Sequence, residues 1–133
     1  LMRQLSLQCG YTAASIRERI YSRGPGQGGE PMAGVLIYTA AADSEGTLGG
    51  LVSLGEPEVL ARHLAQSLEG VSLCPADPLC AEHQPAGDAL ALHGAACHAC
   101  LLVAETSCER GNRYLDRSTL VDTFRHTGLE YFG

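Results

Sequence analysis

The sequence predicts a small α+β domain with a short sheet, about three helices and a four-cysteine zinc knuckle near the C-terminus. Its 133 residues are 45% hydrophobic, which is enough to build one domain with a core. Strand-like and helix-like apolar patterns occupy separate segments of the chain. Five of the six cysteines lie between residues 74 and 108, where apolar periodicity is weak. We therefore expect residues 1–133 to form a single zinc-binding domain.

The first forty residues are predicted to contain two strands and one helix. Residues 2–8 alternate apolar and polar side chains, which predicts a strand, and Cys9 after it is expected to be a buried free thiol. In residues 12–23, isoleucines four positions apart share a helix face, so this segment is predicted to be helical. The Gly/Pro-rich residues 24–34 form a loop before the apolar run 34–42, which is predicted to be a strand buried on both faces.

The rest of the chain is predicted to be more irregular. A short helix or strand is expected near residues 51–54, and a helix is expected from Pro57 to Gly70, with leucines at four-residue spacing. Residues 71–96 contain several prolines and are expected to form an irregular segment. A terminal helix is predicted to begin at Asn112, a good N-cap residue.

The charge balance argues against a protein that binds nucleic acid by itself. Arginine supplies all nine basic residues, and the net charge is −6 with a pI near 5.2. Nucleic-acid-binding proteins usually carry a basic patch and a positive charge. Two arginine clusters occur, at residues 17–23 and at Arg110, Arg113 and Arg117. They are expected to be solvated helix faces first and phosphate contacts only second.

No segment of the sequence has the pattern of a membrane or export signal. No stretch approaches the roughly 18 apolar residues of a membrane-spanning helix. Residues 1–15 lack the apolar region and cleavage site of a signal peptide. We expect a cytoplasmic protein without a membrane partner. Because the chain does not open with Met and begins inside a predicted element, we also expect it to be a piece of a longer polypeptide or a mature or trimmed form.

The clustered cysteines have the spacing of metal ligands. Cys97-x-x-Cys100 allows a tight turn to direct two thiolates at one ion, and Cys108 follows after seven intervening residues. Three upstream residues are candidates for the fourth position: Cys74, Cys80 and, more weakly, His83. A bound zinc ion would supply folding free energy to the irregular segment, because metal binding and folding are coupled.

Other chemistries use similar cysteine patterns. A redox C-x-x-C usually opens a helix after a strand, and "LHGAA" before Cys97 is not a convincing strand. An iron–sulfur cluster also takes four cysteines, and the sequence alone does not distinguish it from zinc. A cysteine nucleophile would need His93 or His98 as its base, and no third group is evident. Disulfides need an oxidising compartment, for which the sequence gives no other sign.

The glycine-rich residues 43–50 follow a predicted strand, where α/β proteins often bind phosphate. The segment lacks the Gly-Lys-Ser/Thr of a Walker A motif and does not match G-x-G-x-x-G. Asp43 and Glu45 would also repel an anion. The favoured interpretation is that these glycines allow close packing against a sheet edge or a partner.

Residues 93–121, "HGAACHACLLVAETSCERGNRYLDRSTLV", closely resemble the end of the zinc-binding domain of mitomycin repair factor A (MrfA) helicases. Within that family they are most similar to DrmB-type sequences of DISARM anti-phage systems. The segments "GYTAASIRERIY", "GVLIYTAAADSEGTLGGLV" and "DPLCAEH" are also similar, so the resemblance covers nearly the whole chain.

The resemblance implies that Cys97, Cys100 and Cys108 are three of the four ligands of one structural Zn²⁺. Helicase-type members usually have the fourth cysteine just upstream of the C-x-x-C, where this chain has "ALHGAA". The fourth ligand is therefore expected from "CPADPLC". Cys80 is preferred because "DPLC" resembles the DrmB pattern, and Cys74 is the alternative.

The resemblance also implies a role. The chain would be a non-catalytic zinc domain of a DrmB-like component of a DNA-targeting anti-phage complex, and the assembly partner of a helicase-like, DrmA-type protein. It would be the C-terminal part or a split subunit of a larger helicase-associated protein. Because the sequence has no Walker A motif, DEAD-type box or nuclease carboxylate cluster, ATPase, helicase or nuclease activity is expected in partner chains.

DNA is then expected to be bound through the complex, and no small-molecule substrate is expected. The alternative role is a zinc module of a DNA-repair helicase that contacts nucleic acid directly. The candidate phosphate contacts are Arg110, Arg113 and Arg117, beside the zinc knuckle.

Overall fold

A computed structural model describes residues 1–40, 49–84, 92–101 and 104–132. Within these ranges the helices and strands are α1 (Met2–Cys9), β1 (Ile16–Arg23), β2 (Met32–Thr39), α2 (Gly49–Ser53), α3 (Pro57–Val71) and α4 (His98–Leu101). Single turns of 3-10 helix lie at Ala13–Ser15 and Glu105–Ser107. The helices and the two-stranded antiparallel sheet confirm the predicted α+β class.

The first element is a helix and not the predicted strand. Leu5 is 3% exposed and Leu7 is 68% exposed, so only one of the two alternating leucines enters the interior. The helix ends at Gly10, whose φ of 71° is the left-handed conformation common after a helix. Cys9 lies in the last turn as a partly buried free thiol, and burial raises its pKa.

The segment predicted to be a helix at residues 12–23 forms β1 instead. This strand pairs with β2 along its full length, from Ile16 opposite Thr39 to Arg23 opposite Met32. An isolated β2 would leave its backbone N–H and C=O groups unpaired, and the preceding segment supplies their partners. Isoleucines four positions apart fit a strand face as well as a helix face, so tertiary pairing decides between the two.

The strand predicted at residues 34–42 is confirmed in part as β2, and residues 41 and 42 lie outside the described residues. It is not buried on both faces. Val35 and Leu36 point to opposite faces and are 61% and 47% exposed. A two-stranded hairpin has little area to bury, and in the described part of the chain neither face of its outer half is covered.

The later helices agree better with the sequence. α3 begins at Pro57 as predicted and extends one residue beyond Gly70 to Val71. α2 is the short element expected near residues 51–54. Among the described residues, no helix is both long enough and apolar enough to cross a membrane.

The terminal helix predicted to begin at Asn112 is replaced by turns and a short extended stretch. The Gly94 N–H donates to the Leu115 carbonyl at 2.8 Å, and the Arg117 N–H donates to the Gly94 carbonyl at 3.2 Å. This pairing holds the chain extended where the helix was expected. Asn112, the predicted N-cap, has a left-handed φ of 54°.

The interior is built around cysteines instead of large apolar side chains. One buried cluster contains the following residues: Cys74, Cys80, Ala96 and Cys100. Arg117 is the bulkiest of the fully buried side chains in the described ranges, followed by Ile16. The small side chains of the cysteine–alanine cluster contribute little hydrophobic free energy when buried, so the part of the domain around this cluster depends on other interactions.

Candidate metal centre

Four cysteine sulfur atoms converge where the irregular segment after α3 meets the turn that leads into α4. Their Sγ atoms all lie within 4.8 Å of one another: Cys74, Cys80, Cys97 and Cys100. The Cys74–Cys97 and Cys80–Cys100 Sγ–Sγ distances are 3.5 Å and 3.9 Å. In a tetrahedral site with Zn–S bonds of about 2.3 Å, sulfur atoms lie about 3.8 Å apart. The four sulfurs fit one zinc ion.

The first cysteine pair is held by turns centred on Asp77. Its carboxylate accepts hydrogen bonds from the Cys74 N–H at 2.8 Å and the Ala81 N–H at 3.0 Å. The Cys80 N–H donates to the Ala76 carbonyl at 3.1 Å. These bonds bend the chain so that Cys74 and Cys80, which are separated by five intervening residues of an irregular segment, point their sulfurs to the same side.

The second pair lies at the start of α4. The Cys97 N–H donates to the Cys100 Sγ at 3.2 Å, which closes the C-x-x-C turn. α4 begins at His98, so its single turn returns Cys100 to the same side as Cys97. Ala95 precedes this turn with a left-handed φ of 49° and is fully buried. The turn thus presents two sulfurs to the first pair.

The pKa values of the cysteine thiols in the cluster are shifted in different directions. Burial, followed by hydrogen bonds with neighbouring cysteines, raises the pKa of Cys80, and burial raises that of Cys100. At Cys97, burial acts to raise the pKa, but hydrogen bonds from the Cys100 backbone and with Cys74 outweigh it and lower the pKa to about 7. Four thiolates at such short distances repel one another, and a divalent cation is what would hold them deprotonated together.

The composition of the cluster is that of a closed structural site. Cys74, Cys80 and Cys100 are each less than 8% exposed, and Cys97 is half-buried. Among the described residues, the converging group contains no histidine and no carboxylate. Catalytic zinc sites usually include such ligands and keep one position open for water.

Cys108, one of the predicted ligands, is not in this group, and Cys74 is. The 3-10 turn before Cys108 is held at the N-terminal half, where the Ser107 hydroxyl donates to the Ala13 carbonyl at 2.7 Å. Cys108 therefore lines a separate cavity of about 330 Å³ beside β1. The sequence offered Cys74 and Cys80 as alternatives for one position, and the structure brings both together with the C-x-x-C pair.

The signal for this set was present in "CPADPLC". Two cysteines separated by a proline-containing turn form a pair of the same kind as Cys97 and Cys100, and two pairs make a complete four-cysteine site. The resemblance instead placed Cys108 beside Cys97 and Cys100 and left one position for either Cys74 or Cys80. His83, the weaker candidate, is exposed and is not in the group.

The three candidate phosphate-binding arginines have different surroundings. Arg110 and Arg113 are exposed, and the Arg113 guanidinium lies 6.0 Å from the centre of the Tyr114 ring. Arg117 is only 1% exposed and forms an ion pair with Asp77. Arg117 is therefore not available to a phosphate group. The glycine-rich residues 43–48, with Asp43 and Glu45, lie outside the described residues.

Comparisons with known proteins agree with this geometry. The model of the MrfA Zn-binding domain family matches residues 1–101. The DISARM protein DrmB of Bacillus paralicheniformis is 51% identical over 123 residues, which are 92% of this chain and 21% of that protein. The chain thus spans about a fifth of the length of this relative. The four converging cysteines all lie within the residues that the family model matches, and Cys108 lies outside them.

Proposed function

Because the chain belongs to the MrfA Zn-binding domain family, we propose that it is a non-catalytic structural domain that holds one Zn²⁺. The proposed ligands are the converging cysteines: Cys74, Cys80, Cys97 and Cys100. The observation that carries this proposal is the convergence of four sulfurs within 4.8 Å of one another, with Sγ–Sγ distances of 3.5 Å for Cys74–Cys97 and 3.9 Å for Cys80–Cys100.

The proposed work of the zinc ion is to fix the irregular half of the domain. Residues 72–84 contain no regular helix or strand, and their buried side chains are mainly two cysteines and Ala81. A metal bound between this segment and the C-x-x-C turn adds its binding free energy to folding, because the unfolded chain has no formed site. Four sulfur ligands leave no open coordination position, which supports a role without catalysis.

The similarity to the DISARM protein DrmB supports a role in an anti-phage defence complex. In this proposal, residues 1–133 are a single domain of a larger helicase-associated protein in the cytoplasm, and the domain docks on a helicase-like partner. The outer half of the β1–β2 hairpin supports docking on protein, since its cross-strand pair Ile20 and Val35 is 60% and 61% exposed. DNA would then be bound through the complex, and ATPase or nuclease activity would lie in partner chains.

Elemental analysis of the purified full chain tests the zinc proposal. We expect about one zinc per chain, as one tetrahedral Cys₄ site requires. Cys74→Ser should lower the zinc content, whereas the matched variant Cys108→Ser should leave it unchanged. A folded wild-type chain without metal would refute the proposal. Equal zinc loss in both variants would refute the ligand set.

A second candidate function is direct contact with nucleic acid. The observation that favours it is contact between the two arginine-bearing segments. The Arg19 Nε lies 3.2 Å from the Glu109 carboxylate, and the Arg17 guanidinium donates to the Thr106 carbonyl at 2.5 Å. The segment that precedes Arg110 and Arg113 therefore contacts β1, and one surface would carry these two arginines together with the cluster at residues 17–23.

Binding of the full chain to a fluorescent single-stranded oligonucleotide tests this candidate. Binding should weaken as salt rises, because contacts to phosphates release counterions. Arg110→Glu with Arg113→Glu should weaken it, whereas Arg62→Glu, at an exposed position of α3, should not. Equal effects of both changes, or no binding at low salt, would exclude direct contact.

A further inference from the structure

The buried Arg117 side chain forms hydrogen bonds to two backbone carbonyls in addition to its ion pair with a carboxylate. Its Nε donates to the Ala95 carbonyl at 2.9 Å, and one terminal nitrogen donates to the Val71 carbonyl at 3.3 Å. The two terminal nitrogens also contact the two carboxylate oxygens of Asp77, at 3.1 Å and 2.7 Å. A planar guanidinium can make these bonds in several fixed directions, whereas a lysine ammonium cannot reproduce them.

The three partners of Arg117 belong to the segments that carry the cysteine sulfurs. Val71 is the last residue of α3, three positions before Cys74. Asp77 lies between the two cysteines of the first pair, and Ala95 lies two positions before the second pair. One side chain therefore joins the end of α3 and both halves of the metal centre.

Asp77 transmits this contact to the first pair. The oxygens that accept from Arg117 also accept from the Cys74 N–H and the Ala81 N–H, the latter next to Cys80. On the other side, the Ala95 carbonyl that accepts from Arg117 lies 3.7 Å from the Cys80 Sγ. The position of the guanidinium is thus coupled to the backbone at Cys74 and next to Cys80, and through Ala95 to the residues just before Cys97.

We propose that Arg117 is a positioning residue for the zinc centre, which sets the separation of the two cysteine pairs through Asp77 and Ala95. This inference rests on the proposed structural zinc function. Arg117 lies outside residues 1–101 that the family model matches, so a segment beyond that match would complete the surroundings of the metal. Mutation of residues that hold metal ligands in place typically lowers metal affinity about 10- to 100-fold.

The test compares two arginine-to-lysine variants of the full chain. Arg117→Lys keeps the charge and removes the planar fork, whereas Arg125→Lys changes an exposed arginine whose nitrogen lies 3.9 Å from the Glu82 carboxylate. Zinc affinity is measured by competition with a chromophoric chelator. The absorption spectrum of the Co²⁺-loaded protein reports the coordination geometry. Circular dichroism at saturating zinc confirms that each variant is folded.

We expect Arg117→Lys to weaken zinc binding about 10- to 100-fold and to alter the Co²⁺ spectrum, with Arg125→Lys unchanged in both. Asp77→Asn, which keeps an oxygen acceptor but loses the charge, should shift both readouts in the same direction. Unchanged affinity and spectrum in Arg117→Lys and Asp77→Asn would overturn the inference. If the wild type binds no zinc, the proposed function itself fails. If the wild type binds one zinc and both variants match its zinc affinity and Co²⁺ spectrum, the positioning role fails while the proposed zinc function stands.

Discussion

The Arg117 guanidinium and the Asp77 carboxylate form a two-point ion pair in the interior of the domain, with N–O distances of 2.7 Å and 3.1 Å. The Arg117 side chain is 1% exposed and the Asp77 side chain 11% exposed. The side-chain hydrogen bond from Arg117 lowers the pKa of Asp77, so the pair is charged at neutral pH. A residue that the sequence suggested as a surface contact for phosphate is instead buried beside the metal centre.

Removing one partner of this pair should destabilise the folded chain strongly. Arg117→Met leaves the Asp77 charge buried without its partner, and loss of one member of a buried pair costs about 3–5 kcal/mol. Urea unfolding at saturating zinc measures this. The control is Arg125→Met, which disrupts an exposed pair and should change the free energy of unfolding by about 0–1 kcal/mol. Similar small losses for both variants would show that the Arg117–Asp77 pair is not buried as described.

Removal of the metal should loosen one half of the domain more than the other. After chelation, backbone amides around the metal centre, such as those of Cys80 and Gly94, should exchange with solvent faster. Their segments would no longer be joined through the metal ion. Amides paired between β1 and β2 should change less. Hydrogen–deuterium exchange with mass spectrometry makes this comparison within one sample. Equal acceleration along the whole chain would contradict a local role for zinc.

The six cysteines should differ in reactivity when zinc is bound. Iodoacetamide should modify Cys108 first, because it lies outside the converging group and is only half-buried. Cys9 should react more slowly, since burial raises its pKa and lowers the thiolate fraction. The four proposed ligands should resist until a chelator is added. Mass spectrometry of peptides gives the order, and early modification of Cys74 would count against the ligand set.

The first helix can be tested by two leucine substitutions in the same segment. Leu5→Ala removes a side chain that is 3% exposed and should cost about 2–5 kcal/mol. Leu7→Ala removes one that is 68% exposed and should have little effect. Thermal unfolding measures the loss of stability in each variant. Comparable destabilisation by the two would favour the strand that the alternating pattern predicted.

The sequence predicted best the features that depend on local signals. Pro57 and the following leucines defined α3 because capping and helical periodicity act within a few turns. The C-x-x-C pair was identified because its two cysteines are also close in the sequence. Residues 12–23 were misassigned because the spacing of Ile16 and Ile20 fits both a helix and a strand, and the pairing with β2 is a tertiary contact.

The remaining errors concern residues whose partners are distant in the chain. The pairing of Gly94 with Leu115 replaces a predicted helix, and the ion pair of Arg117 with Asp77 spans forty positions. Cys74 was ranked below Cys80, and Cys108 was expected as a ligand, whereas the folded chain brings Cys74 and not Cys108 to the other three sulfurs. The α+β class and three of the four converging cysteines were nevertheless anticipated from the sequence.

The most direct test of the central claim is zinc X-ray absorption spectroscopy on the purified full chain. The proposed ligand set requires a first shell of four sulfur atoms at about 2.3 Å, with no nitrogen or oxygen ligand. The same shell should persist in Cys108→Ser and lose one sulfur in Cys74→Ser. A first shell with nitrogen or oxygen in the wild type, or loss of sulfur in Cys108→Ser alone, would contradict the closed site formed by Cys74, Cys80, Cys97 and Cys100.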